Sequence, residues 1–283
     1  MSKIKIVVDS TVDLSKDLYK KYDMDVLPLD VIFNEQTYED GVTITRDELY
    51  KKVAQTKKLP STAAPGPQAF EETFRKWVDQ GYTVIYVGIG STLSTAFQSA
   101  NIARSMIGED KVYIVDSKNL SSASGLLAMK AAKLASEGKE APEIVKILEK
   151  DVPNVVAQFS VETLDYLHKG GRCSGTAKVL GHLFHVHPHI LVKDGKLIVY
   201  KKPRGTMKTA IDGQIEELKK ALPNVQLDNI MITDSGATDE IRNYFVKEVS
   251  KLVDPKIIRT TPAGCVIASH CGPGTIGLLF IKN

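Results

Sequence analysis

Ser94, His270 and Asp9 carry a hydroxyl, an imidazole and a carboxylate, the set that makes an acyl-transfer triad when a fold brings them together. Ser94 sits in Gly90-Ser91-Thr92-Leu93-Ser94-Thr95 and lacks the G-x-S-x-G elbow that exposes such a nucleophile. The same loop opens with Gly88-Ile89-Gly90 but has Leu93 where a dinucleotide fingerprint needs its third glycine. No P-loop spacing occurs elsewhere, so the common nucleotide-binding loops are disfavoured. Hydroxyls at the start of a helix spanning Ala96–Met106 suit a carboxylate or a phosphate, and equally suit plain helix capping. Thr62-Ala63-Ala64-Pro65-Gly66-Pro67 is a second loop entering a helix, where Thr62 reads as a turn hydroxyl or a ligand donor. His270 precedes Gly272-Pro273-Gly274-Thr275, and such glycines let backbone approach a ligand closely.

Two further groupings bear on partners. His182, His185, His187 and His189 lie close in sequence, and on a strand the last three would share a face able to hold a metal. No acidic ligand accompanies them and Pro188 interrupts pairing, so a polar or interdomain surface, and no metal, is expected. From Lys193 to Lys208 there are six bases (Lys193, Lys196, Lys201, Lys202, Arg204 and Lys208) against Asp194 alone, a local +5 in a chain of formal charge +3. Such a stretch reads as a solvated hairpin protected from edge pairing, or as a docking patch for an anionic ligand or acidic partner. The weak net charge of the whole chain argues against nonspecific DNA binding, and outside this stretch the chain is slightly acidic.

The elements that must position these groups follow from the hydrophobic pattern. Ile4–Val8, Val26–Phe33, Thr83–Ile89 and Val112–Val115 are short Val/Ile-rich runs and read as strands. Phe70, Phe74 and Trp77 mark one face of a helix entered through Pro65-Gly66-Pro67, and a longer helix runs from about Leu120 to Ala135. Strands alternating with helices predict a mostly parallel sheet covered on both faces, with ligands at the carboxyl ends of its strands. The second half mixes a helix at Pro142–Asp151, a strand at Asn154–Val161, a helix at Glu162–His168, a hairpin turning at Asp194-Gly195, and a helix carrying Ile241, Phe245, Val249 and Leu252. It closes with Gly264–His270 and Ile276–Ile281, both read as strands. The expectation is a two-domain α/β protein: residues 1–152 an α/β domain, residues 153–283 an α+β domain, with a cleft between. At 283 residues, 43% hydrophobic and 25% charged, the chain is long enough for a substantial core. No apolar run approaches the ~18 residues of a membrane span. Three cysteines without CxxC spacing and an N-terminus lacking a secretion signal lead us to expect a cytoplasmic protein.

Several of these motifs, in order, resemble the DegV family of fatty-acid-binding proteins. They are Val8-Asp9-Ser10-Thr11, Thr62 with Pro65, Leu93-Ser94 at a helix start, Gly170-Gly171-Arg172, and Ser269-His270-Cys271-Gly272-Pro273-Gly274-Thr275. The resemblance implies a buried pocket near the domain interface holding one long-chain fatty acid, such as palmitate, stearate or oleate, and no cofactor. It implies a non-catalytic subunit that presents the carboxylate to a separate ATP-dependent fatty acid kinase, giving acyl phosphate for phospholipid synthesis, with transient membrane contact. Carried over by position, Thr62, Ser94 and His270 surround the carboxylate, and Arg172 and Arg204 match basic positions of the family; the basic stretch with Lys201, Lys202 and Arg204 is then expected to dock the acidic kinase or the ATP phosphates. The chain departs from the family's usual pattern at Ala63-Ala64, where Ser then Gln is common, and at Thr95, where Gly is common. The alternative is an acyl-ester hydrolase acting through Ser94 and His270.

Overall fold

The computed structural model describes residues 3–174 and 185–283. Its strands in the first half are β1 (Lys3–Asp9), β2 (Asp25–Leu27), β3 (Asp30–Phe33), β4 (Gln36–Glu39), β5 (Ser61–Ala63), β6 (Tyr82–Val87) and β7 (Val112–Val115). Those that follow are β8 (Val155–Ser160), β9 (Cys173–Ser174), β10 (His189–Lys193), β11 (Lys196–Lys201), β12 (Ile230–Ser235), β13 (Ile258–Pro262) and β14 (Thr275–Ile281). The helices are α1 (Lys16–Lys21), α2 (Arg46–Thr56), α3 (Pro67–Val78), α4 (Ala96–Ile107), α5 (Ser122–Ser136), α6 (Ala141–Asp151), α7 (Asp165–Gly170), α8 (Met207–Ala221), α9 (Asp239–Val249) and α10 (Cys265–Cys271).

A four-stranded parallel sheet, ordered β2-β1-β6-β7, is flanked by α3 and α4 and by α5 and α6. A mixed seven-stranded sheet, β13-β12-β14-β8-β10-β11-β9, forms the second domain with α8 and α9. A small antiparallel sheet, β4-β3-β5, packs against α10. Helix α5 touches β1 and β6 on one side and β8, β12 and β14 on the other. It is buried nearly all round, as its Ala- and Leu-rich sequence requires of a helix lying between two sheets. Gly125 makes that packing possible, because a Cβ there would come 2.8 Å from the Val12 carbonyl oxygen.

Two expected strands are corrected. Val26–Phe33 is split, because Pro28 has no N–H to donate to a ladder; β2 stays in the parallel sheet and β3 crosses to the small one. Gly264–His270 is not a strand but contributes the body of helix α10. A short run that is apolar throughout has no period to separate strand from buried helix. What favours the helix is at its start. Asp13 accepts from Gly264 N at 2.7 Å, and Asp40 accepts from Cys265 N at 2.6 Å and Val266 N at 3.3 Å. These carboxylates satisfy amides that a helix leaves open. Among the described residues no helix is long and apolar enough to cross a membrane.

Candidate functional site

The three sheets converge on a cavity of about 320 Å³, within the span of roughly 300–1,000 Å³ typical of small-molecule sites. Thr62 reaches it from edge strand β5, Ser94 from the loop between β6 and α4, Arg172 from the segment after α7, and His270 from the last turn of α10. Leu29, Ile89, Leu120, Leu167, Leu197 and Ile267 supply much of the apolar wall. The sequence-derived trio Thr62, Ser94 and His270 is therefore brought together, with Arg172 beside it.

Each polar group is held in place by its own framework. Thr62 Oγ1 and His270 Nε2 are 2.8 Å apart. His270 Nδ1 is buried without a hydrogen-bond partner and lies against Gly170, where any Cβ would overlap it. Burial, with the Arg172 charge adding to it, pushes the His270 ring down to about 4, so it is neutral at neutral pH. Arg172 spans two carbonyl oxygens, donating from Nη1 to Gly170 at 2.7 Å and from Nε to Leu93 at 3.4 Å. Ser94 Oγ accepts from Ala96 N at 3.2 Å, which leaves its own O–H free to donate. The α4 N-terminus adds partial positive charge at the same end of the cavity.

The loop carrying Ser94 is fastened from four directions. Ile89 N donates to Asp9, Gly90 N to the Asn119 carbonyl, Ser91 to Asp116 through both N and Oγ, and Thr92 Oγ1 to the Gly195 carbonyl at the hairpin turn. The glycines that suggested a nucleotide fingerprint serve this packing. A Cβ on Gly88 would overlap Asp9 and Tyr86, and one on Gly90 would come 2.8 Å from the Lys118–Asn119 backbone.

These contacts also dispose of the triad. Asp9 is committed to Thr11, Tyr86 and Ile89 and, being buried, has its carboxyl pushed upward. His270 is bonded to Thr62, and no hydrogen bond joins it to Ser94. The base, its orienting acid and the nucleophile needed by a hydrolase are not assembled.

The basic stretch stands apart. Lys201 lies four residues beyond Leu197, about 13 Å along an extended strand, and its Nζ is 2.6 Å from Glu217 on α8. Lys202 and Arg204 are exposed, and none of the three lines the cavity. The histidine cluster disperses. His185 is exposed, His187 Nδ1 faces Glu162 at 3.2 Å, and of the described members only His189 is on a strand, bonded to Gln158. His182 lies outside the described residues. The three cysteines are buried, and Cys271 lines the cavity.

Comparison with known proteins places this geometry. The family model described as "Uncharacterised protein, DegV family" matches residues 3–283. The chain belongs to the DegV family. A protein of Thermotoga maritima named "Fatty acid-binding protein" is 31% identical, over 97% of this chain and 96% of that one. A DegV family protein from Thermus thermophilus, described for its fatty acid binding, superimposes with a TM-score of 0.91 at 29% identity, covering 100% of both chains. A stearic acid-binding protein from Eubacterium ventriosum gives a TM-score of 0.85 at 30% identity, covering 100% of this chain and 98% of the other. The two-domain α/β architecture is thus that of DegV structures, and fatty acid binding is described for several members of the family.

Proposed function

We propose that this protein binds one long-chain fatty acid, its carboxylate on Thr62, Ser94 and His270 and its tail in the apolar body of the cavity. The observation that carries the reading is the composition of the lining: a few polar groups, Thr62 bonded to His270 and Arg172 bonded to the carbonyls of Gly170 and Leu93 beside Ser94, among mostly apolar side chains. A carboxylate taken from water needs donors. With its proton on Nε2, His270 donates to Thr62 Oγ1 and frees that hydroxyl to donate to the ligand, beside the Ser94 hydroxyl. Arg172 at the rim balances the charge. About fourteen methylenes at ~0.8 kcal/mol each supply roughly 11 kcal/mol before ordering costs. Affinity then comes from the tail and orientation from the head.

On this reading the protein is a carrier rather than a catalyst. It would present the carboxylate to a separate ATP-dependent fatty acid kinase, where a carboxylate oxygen attacks the terminal phosphorus of ATP, the bond from that phosphorus to the bridging oxygen breaks with ADP as leaving group, and the acyl phosphate formed feeds phospholipid synthesis. The exposed Lys202 and Arg204, with Lys201, suit docking of an acidic partner, and loading and release suit brief membrane contact in the cytoplasm. We divide the chain at 152/153, so that Thr62 and Ser94 come from one domain and Arg172 and His270 from the other.

Native mass spectrometry followed by organic extraction tests the carrier. A stoichiometric long-chain fatty acid, reduced in Thr62→Ala and Ser94→Ala, is expected; a protein that stays empty when fatty acid is added overturns the reading. Reversing Lys201, Lys202 and Arg204 to Glu should slow coupled kinase turnover without changing fatty acid affinity, and an unchanged rate removes the docking role.

A further inference from the structure

Leu120, Ile267 and Cys271 line both the main cavity and a second void of about 30 Å³ bordered by β8, β12 and β14. Six polar side chains border this void, and each directs its polar atoms elsewhere. Ser121 donates to Asp13, and Thr275 Oγ1 donates to the Cys271 carbonyl. Thr233 shares hydrogen bonds with Ser122 and Thr261, and Ser235 with Tyr50. Asp234 holds Arg242 and the amides of Gly236 and Ala237, and Gln158 is engaged by His189 and the Gln214 carbonyl. The three strands are interior members of their sheet, each paired on both sides. A space of this size admits a water molecule, but a water there needs two to four polar partners. The void is suited to hydrocarbon.

Phe159 borders this void and not the main cavity. Its ladder partner is Gly277, and a Cβ on Gly277 would come 2.8 Å from Phe159 Cβ. The Phe159 side chain thus stands where its cross-strand partner has none, and walls the void. Resting on the fatty acid reading of the cavity, we infer that the methyl end of the bound chain passes Leu120, Ile267 and Cys271 into this void, and that Phe159 sets the longest chain accepted.

The test is a competition among saturated fatty acids of increasing length, read by native mass spectrometry on the full chain. Affinity in the wild type should rise about fourfold per added methylene and then stop. Phe159→Ala should move that limit to longer acids. Phe159→Leu should do so to a smaller extent, and it keeps the test open if the alanine variant does not fold. Cys271→Met, which pushes a flexible side chain into the neck, should move the limit to shorter acids. Fatty acids bound with the same length profile in the Phe159 and Cys271 variants as in the wild type would overturn the inference while leaving the carrier intact. A wild type that binds no fatty acid of any length would overturn both.

Discussion

His270 and His189 both lose their charge to burial, each pushed down to about 4. In both, Nε2 is bonded to a side chain and Nδ1 is left without a partner. The partners differ in kind. His189 faces Gln158 Oε1 at 3.0 Å, and an amide oxygen only accepts, so the ring proton is fixed on Nε2. Gln158 and Gln214 extend this network to Ser160 and to the backbone of β14, in an interior where His189 is 0% exposed. His270 faces a hydroxyl, which donates or accepts, and a cavity lies alongside. The lesson is that a shifted titration does not distinguish a site from a core. A reversible hydrogen-bond partner beside empty apolar space does.

Acid unfolding gives the largest effect and should treat the two rings alike. The unfolded rings titrate near 6.5 and the folded ones near 4, so the unfolded state binds protons first as pH falls. Stability from each ring is therefore complete above about pH 6.5 and lost between there and about pH 4, by up to roughly 3 kcal/mol per ring. Urea unfolding across this window should show His189→Gln shedding about one proton's worth of the slope. An unchanged slope would mean that His189 is protonated in the folded protein.

Ligand binding should separate them. Losing hydrogen bonding to a charged group costs about 1.5–3 kcal/mol, or roughly 10- to 150-fold in Kd. Titration calorimetry with a long-chain fatty acid should show a loss in that range for His270→Ala and unchanged affinity for His189→Gln. Equal losses in the two variants would break the comparison and point to a global effect on the fold.

Much of this arrangement was legible in the sequence, for reasons that can be named. The first parallel strands and α3 announce themselves by period, and the hairpin by Asp194-Gly195. Thr62, Ser94 and His270 were legible as a group only through the ordered motifs of the family, since nothing local links residues 62 and 270. The cavity-lining Leu29, Leu120, Leu167 and Leu197 were not legible, because a leucine facing a cavity and one facing another leucine are the same letter. Helix α10 was misread because the carboxylates that cap it, Asp13 and Asp40, are more than 220 residues away in sequence. Gly170 entered the sequence reading only as part of the Gly170-Gly171-Arg172 motif, and its role in leaving room for the His270 ring is visible only in three dimensions.

That role yields the finest test, with smaller expected effects. Gly170 closes α7, and its backbone is not in the left-handed region, so alanine there carries no backbone strain. Gly213, in α8, likewise avoids that region and has open space at its Cβ position. By helix propensity alone both Gly→Ala changes should be neutral or stabilising, by roughly 0.5–1 kcal/mol inside a helix. Gly170→Ala instead places a methyl group on His270 Nδ1 and must turn the ring away from Thr62. We expect about tenfold weaker fatty acid binding, ~1.4 kcal/mol, while Gly213→Ala gains a little stability and leaves binding untouched. Paired calorimetric and urea measurements on the two variants check this. Unchanged binding in Gly170→Ala would show that the ring can move without loss to the ligand, and would detach His270 from the carboxylate.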